Sequence, residues 1–211
     1  MPLSIDSTKI LEALKHHITE LHAEWKTLQE LFGVSEEQSD LLNKSAGGFF
    51  NTVYDTLIRD ILLGVARLTD PLSTAGKDNL VLERLTLLPE VAADANLLAK
   101  VKTQLLTVKD HAAPIRDYRN KYLAHLDLAA SLGLGPDVLP GIRRETIDAV
   151  LQSTADLFNI VQGTTIVFKW TTIPGGPDVL LRRLKDAQSW RALPFYERGR
   201  LSMKRQRPND A

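Results

Sequence analysis

The stretch FFNTVYDTLIRDILLGVARLTDP, residues 49–71, decides the fold because it predicts the central helix of the protein. Its apolar residues cover more than one helical stripe, so this helix can bury surface against neighbours on several sides. Asp70-Pro71 ends the helix, since the residue before a proline is disfavoured in the α region. Ser35 and Gln38 have the spacing of an N-terminal capping box, and we expect the helix to begin there.

Helical periodicity continues on both sides of this stretch and predicts an all-α fold. From Ser7 to Phe32, apolar residues recur in steps of three and four, as in an amphipathic helix. Four further helices are predicted: a short one over about residues 79–88, one beginning at Pro89 with a stripe continuing to Leu126, one with a stripe from Ile147 to Val161, and one from Gly176-Pro177-Asp178 to about Trp190. We therefore expect a helical domain over residues 1–170, followed over 171–211 by a C-terminal helix and a basic tail that includes Arg198, Arg200, Lys204, Arg205 and Arg207.

Three features interrupt this regular pattern. Pro114 falls inside the fourth stripe and predicts a kink or short break near Ala113, with the same face kept towards the core. Gly47-Gly48 costs about 1 kcal/mol per glycine relative to alanine within a helix, a cost that close helix packing could offset. Residues 164–173 are rich in β-branched side chains and could be extended, although a lone strand is marginal.

Composition excludes several classes of protein. Lys plus Arg and Asp plus Glu both number 26, so a nucleic-acid or membrane partner would have to be met by a local patch. The absence of cysteine excludes disulfides, thiolate zinc sites, iron–sulfur clusters and cysteine nucleophiles, and it fits a reducing cytosol. Met1–Ser7 lacks the pattern of a secretory signal, and no apolar run approaches about 18 residues. We expect a cytoplasmic protein with no membrane partner.

A histidine-rich and glutamate-rich face of the first helix does not predict a metal site. It carries His16, His17, His22, Glu12, Glu20 and Glu24. No HExxH or other reliable ligand spacing occurs among them. The sequence therefore predicts a solvated helix face, no metal and no cofactor.

Chemically useful side chains are concentrated in RDYRNKYLAHLD, residues 116–127. On an α-helix, Arg119, Tyr122 and His125 would form a slanting row, with about 9 Å of rise between the arginine and the histidine. A two-fold axis could bring the Arg119 of one copy to the His125 of another and build a composite site. A guanidinium orients phosphate and an imidazole moves protons near neutral pH, so the pair suits phosphodiester chemistry.

The block RNKYLAHLD, residues 119–127, resembles the signature of the HEPN superfamily, whose members are helical nucleotide-binding domains, many of them metal-independent RNases. The segment ARLTDP, residues 66–71, resembles the AbiU-type abortive-infection branch, and the resemblance covers roughly residues 10–165. It implies an up-and-down bundle of about five core helices that dimerises across the motif helix. Arg119 and His125 would be catalytic, and Asn120 would support the phosphate or the arginine.

Around these residues the sequence predicts further supporting side chains, namely Arg116, Lys121 and Tyr122, although Tyr122 also lies on the apolar phase of its helix. The resemblance implies an endoribonuclease that acts in phage defence or as a toxin. The 2′-hydroxyl of the substrate would attack the neighbouring phosphorus, so DNA should resist.

Less specific interpretations remain open. Arg119 could form a structural ion pair with Asp117 or with a glutamate of a neighbouring helix. For Asp70 we favour a helix-end turn with a surface ion pair to Arg67. Asp55 and Asp60 are less favoured candidates as buried ion-pair partners of Arg116 and Arg119. The main alternative function is a non-catalytic module whose positively charged cleft binds a nucleotide, an RNA or a nucleotidyltransferase-type antitoxin. A purely structural helical dimer is the third.

Overall fold

A computed structural model describes residues 5–33, 35–123, 142–165, 168, 173–193 and 197. The helices are α1 (Ile5–Phe32), α2 (Glu36–Leu68), α3 (Pro89–Ala92), α4 (Ala95–Tyr118), α5 (Arg144–Gln162) and α6 (Pro177–Ala192). A 3₁₀ helix covers Leu82–Leu87, a π-helical turn covers Arg119–Leu123, and β1 (Ser73–Thr74) pairs antiparallel with β2 (Lys77–Asp78). The predicted all-α fold is confirmed.

The chain divides into two compact units. The first contains Met1–Lys26 and Asp55–Thr171, and the second contains Thr27–Tyr54 and Thr172–Ala211. The division of the sequence into 1–170 and 171–211 remains a proposal. The predicted basic tail, and most of the β-branched run over 164–173, lie outside the described residues.

In the first unit, α4 packs along α5 and the two helices share polar contacts. The Gln104 amide donates to the Ser153 carbonyl over 3.0 Å, and His111 Nδ1 lies 3.2 Å from Ser153 Oγ. Trp25 Nε1 on α1 donates to the Asp148 carboxylate on α5 over 2.6 Å. These bonds satisfy polar groups beside a core of Leu, Ile, Val and Phe side chains, so the helices have a defined register.

Burial along α2 differs between its two ends. In the first unit, Ile61, Leu62 and Val65 are buried, as the central-helix prediction requires. Before this part, Phe50 is buried but Phe49 is 63% exposed, most residues over 51–60 are exposed, and the backbone at Ala46 departs from helical geometry. The central, fully surrounded part of the helix is therefore shorter than residues 49–71.

Within the second unit, only half of the predicted capping box forms. The Gln38 backbone N–H donates to Ser35 Oγ over 3.3 Å, as predicted. The Gln38 amide instead donates to the carbonyls of Glu30 and Leu31 at the end of α1. Gln38 thus caps the preceding helix as well as belonging to the next one, which fixes the connection between them.

Two expectations about helix irregularities concern Pro114 and Gly47-Gly48. The short break near Ala113 does not occur, because α4 continues through Pro114 to Tyr118 and the irregular winding begins only at Arg119, while Ala112 and Ile115 keep the expected face buried. Gly47-Gly48 does not mark a close helix contact: a Cβ at Gly48 would meet nothing within 4 Å, and one at Gly47 would meet only the Asn43 side chain, at 3.5 Å. The close approach is instead at Gly64.

The predicted helix from Pro89 is divided into α3 and α4. Asp94 caps α4 by accepting the backbone N–H groups of Asn96 and Leu97 at 2.9 and 3.0 Å. An N-cap residue has extended backbone geometry, and this separates the single turn of α3 from the long helix. None of the helices among the described residues is long and apolar enough to cross a membrane.

Candidate functional site

The motif block begins at the end of α4, where the helix changes from α to π winding. Residues Arg119–Leu123, sequence RNKYL, form this π-helical turn. Such turns carry one extra residue per hydrogen-bonded ring and occur frequently at functional sites. Because of this winding, the α-helical spacing used to place Arg119, Tyr122 and His125 in one row does not apply across the turn. His125 itself lies outside the described residues.

Arg119 is held by two side chains. Its Nη2 donates to Asp70 Oδ2 over 3.5 Å, and its Nη1 donates to Asn120 Oδ1 over 2.9 Å. Arginine has five N–H donors, and these bonds use two of them. Across the part of the chain that the structure describes, the other three have no protein acceptor. The side chain is 28% exposed, so these donors are accessible to a ligand.

Arg116 lies one helical turn earlier and is held more tightly. Its Nη1 contacts the Ala66 carbonyl at 3.2 Å, Thr69 Oγ1 at 3.2 Å and Asp70 Oδ1 at 3.1 Å. All three acceptors lie at the C-terminal end of α2, where carbonyls lack helical partners. Arg116 therefore fastens α4 to α2, and we assign it a structural contribution beside the candidate site.

Asp70 joins the two arginines, and the prediction that it pairs with Arg67 on the surface is wrong. Its Oδ1 faces Arg116 and its Oδ2 faces Arg119, with only 19% of the side chain exposed. The alternative partners Asp117, Asp55 and Asp60 form no ion pair with Arg119 among the residues described. Sequence reasoning missed this contact because 46 and 49 residues separate Asp70 from the two arginines.

The segment after Asp70 is fixed by its own hydrogen bonds. Asn79 Nδ2 donates to the Pro71 carbonyl over 2.8 Å, and the Asn79 backbone N–H donates to the Leu72 carbonyl over 2.8 Å. Arg84 donates to the carbonyls of Leu72 and Asn79. The tight turn between β1 and β2 is made by Ala75 and Gly76, both with positive φ. Asp70 therefore projects from a backbone whose neighbouring carbonyls are occupied.

The remaining supporting residues differ in their exposure. Tyr122 is half-buried, and its ring contacts that of Tyr118 with centroids 5.0 Å apart. Lys121 is also half-buried, whereas Asn120 is exposed and accepts the bond from Arg119. The structure thus brings Arg116, Arg119 and Asn120 together around Asp70.

A groove of about 470 Å³ lies beside this cluster. Its lining includes Lys109 and Arg116 as cations and Asp70, Glu83 and Asp117 as carboxylates. Lys109 Nζ lies 2.7 Å from Glu83 Oε2, so one cation is paired across the groove. The described lining is therefore not the positively charged cleft that the alternative function assumed.

A second cavity, of about 290 Å³, lies between α1 and α2 within the first unit. Glu20, Glu24 and Asp60 contribute carboxylates to it, and burial, then Asp60 and Glu20, raise the pKa of Glu24 to about 6. His22 is buried and stacks on Phe168 with centroids 5.6 Å apart. The prediction of a wholly solvated face is therefore wrong for His22 and Glu24. Over the described ranges no three His, Asp or Glu side chains are arranged to hold a metal ion.

Comparison with protein families identifies the chain. The model of the AbiU2 family of HEPN domains matches residues 6–172. The chain belongs to the AbiU2 family. No curated protein and no solved structure matches it. Membership of the AbiU2 family confirms the resemblance found in RNKYLAHLD and ARLTDP, and the all-α architecture agrees with a HEPN-like bundle.

Proposed function

We propose that this AbiU2-family protein is a metal-independent endoribonuclease of the HEPN type that acts in the cytoplasm, in phage defence or as a toxin. The observation that carries the proposal is the environment of Arg119. This guanidinium is fixed by Asp70 and Asn120, is partly exposed, and keeps three N–H donors without protein acceptors in the described structure. A guanidinium oriented in this way can bind a phosphate with little further loss of conformational entropy in the arginine side chain.

In the proposed reaction, the ribose 2′-oxygen forms a bond to the adjacent phosphorus while the bond from phosphorus to the 5′-oxygen breaks. An imidazole accepts the 2′-proton, and a protonated imidazole delivers a proton to the leaving 5′-oxygen. Arg119 stabilises the negative charge that grows on the phosphoryl oxygens. The products are a 2′,3′-cyclic phosphate and a 5′-hydroxyl.

This chemistry needs both a base and an acid, and His125 supplies one imidazole per chain. A homodimer with the two motif segments facing each other would place two imidazoles and two guanidiniums around one phosphodiester. Mass measurement by light scattering tests this requirement first, because a strict monomer would leave the composite site incomplete.

The test of activity uses single-stranded RNA in EDTA. We expect cleavage that leaves 2′,3′-cyclic phosphate ends, and we expect His125→Ala to abolish it. His16→Ala is the matched control, because His16 is a 70% exposed surface residue paired with Glu20. Single-stranded DNA of the same sequence, which lacks the 2′-hydroxyl groups, should stay intact. Uncleaved RNA under all conditions, at protein concentrations where the dimer forms, would overturn the proposal.

The exposure of Arg119 also fits a second candidate, a non-catalytic module that binds a nucleotide, an RNA or a nucleotidyltransferase-type antitoxin, because binding through this guanidinium needs no imidazole. Calorimetry with nucleotides and RNA distinguishes the candidates. The module predicts binding that survives His125→Ala and weakens in Arg119→Ala, with no cleavage by the unmodified protein.

A further inference from the structure

We propose that Asp70 is the positioning residue of the candidate site: it orients Arg119 towards the substrate phosphate. The inference rests on the proposed function for its catalytic readout. Asp70 lies in ARLTDP, far in sequence from the motif block, and its carboxylate contacts both motif arginines. One carboxylate therefore links the end of α2 to the start of the π-helical turn.

The two carboxylate oxygens of Asp70 contact different arginines. Oδ1 is one of three acceptors of Arg116, which also binds the Ala66 carbonyl and Thr69 Oγ1. Oδ2 is the only acceptor of Arg119 from another helical segment among the described residues, since Asn120 is its neighbour on the same turn. Loss of the carboxylate charge should therefore release Arg119 while Arg116 keeps α4 attached to α2.

Rigidity of the Asp70 backbone makes this contact useful for positioning. Thr69 Oγ1 donates into the α2 carbonyls of Val65 and Ala66, at 3.0 and 3.2 Å. On the other side, Asn79 holds the Pro71 carbonyl. A carboxylate anchored at both flanks can limit the rotamers of a long arginine side chain, which otherwise carries a large conformational entropy.

In Asp70→Asn, the position of the Arg119 guanidinium should change, whereas the affinity for RNA should change little. The asparagine keeps the shape and one acceptor oxygen but removes the charge that strengthens the bond to guanidinium. We expect kcat for RNA cleavage to fall by about 10- to 100-fold with KM little changed, because misplacement of a group acting in the transition state lowers kcat. Asp70→Glu, which keeps the charge, should retain more activity than Asp70→Asn.

The matched control is Asp178→Asn. Asp178 pairs with Arg182 at 3.2 Å on α6 in the second compact unit, so the change removes an Asp–Arg pair of similar length from a helix that carries no motif residue. It should leave kcat unchanged. Full activity in Asp70→Asn would overturn the proposal, and so would faster cleavage, because the latter would mean that Asp70 competes with the phosphate for Arg119.

A second measurement needs no catalysis and separates this inference from the proposed function. The arginine Nε–H resonances report side-chain order by NMR, and Arg119→Lys and Arg116→Lys identify the two signals. In Asp70→Asn, the Arg119 signal should move to the position of mobile arginines while the Arg116 signal persists. An unchanged Arg119 signal would reject the positioning role. If unmodified protein fails to cleave RNA but this signal shifts, only the ribonuclease proposal fails.

Discussion

Gly64 offers the sharpest test of packing in this fold. A Cβ built at Gly64 on α2 would lie 2.4 Å from Leu21 Cδ2 and 3.3 Å from Leu21 Cγ on α1. Leu21 is only 6% exposed, but it lines the cavity between α1 and α2 together with Gly64, so its side chain can move only towards that space. Gly64→Ala should therefore force an adjustment in the contact between α1 and α2.

Two opposing effects determine how much Gly64→Ala changes the free energy of unfolding. Alanine gains about 1 kcal/mol over glycine inside a helix, whereas overpacking of a buried contact costs about 1–3 kcal/mol. We therefore expect Gly64→Ala to lower the free energy of unfolding by about 0–2 kcal/mol. Gly48→Ala, on the same helix with nothing within 4 Å of its Cβ, should raise it by about 0.5–1 kcal/mol.

A double-mutant cycle with Leu21→Ala isolates the clash. Removing the leucine methyl groups creates space, so Gly64→Ala should become stabilising by up to about 1 kcal/mol in that background. Urea unfolding followed by circular dichroism measures all four proteins. If Gly64→Ala has the same effect with and without Leu21, the close approach does not limit this position and the reasoning is wrong.

Two further stability predictions concern a half-buried carboxylate and a helix cap. Because the pKa of Glu24 is raised to about 6, protonation favours the folded state, and this contribution is lost as pH rises from about 4.5 through 6. Because solvent screens this half-exposed side chain, Glu24→Gln should stabilise the protein by at most about 1 kcal/mol at pH 7 and have little effect at pH 4. Urea unfolding midpoints at both pH values measure this, and an equal change in midpoint at pH 4 and pH 7 would refute it. Asp94→Ala removes the α4 cap and should lower the free energy of unfolding by about 1 kcal/mol, as measured by thermal or urea unfolding. Arg143→Ala changes an N-cap residue that makes no side-chain bond, so it should lower the free energy of unfolding much less. Similar losses of stability in both variants would contradict the capping argument.

Local signals in the sequence placed several elements correctly. The helices α5 and α6 lie where predicted. A few neighbouring residues were enough to predict them: the apolar stripe of α5, and Pro177 at the first position of α6. The start of α4 was misplaced because Pro89 also favours a helix start, and Asp94 then begins the longer helix. Both signals were present, but their relative strength depends on packing that a local pattern does not contain.

The sequence pointed to some residues of the described cluster but not to Asp70 or to the contacts that join them. RNKYLAHLD identified Arg119 and Asn120, which contact each other. The link from Arg119 to Asp70 depends on how α2 ends beside α4, which no i,i+3 or i,i+4 rule describes. A carboxylate just before a helix-ending proline was the available signal, and in isolation it also fits an ordinary surface turn.

Pairing of Arg119 with Asp70 has a consequence for the balance between binding and catalysis. Arg116, Arg119 and Asp70 together carry two positive charges and one negative charge, so the cluster offers one net positive charge. A phosphodiester carries one negative charge in the ground state and gains more as the 2′-oxygen attacks. A fixed, partly neutralised guanidinium attracts the ground state weakly and responds more to the added charge. On the proposed mechanism, the ion pair therefore favours transition-state stabilisation over tight RNA binding, and the RNA affinity has to come from surfaces outside the described groove.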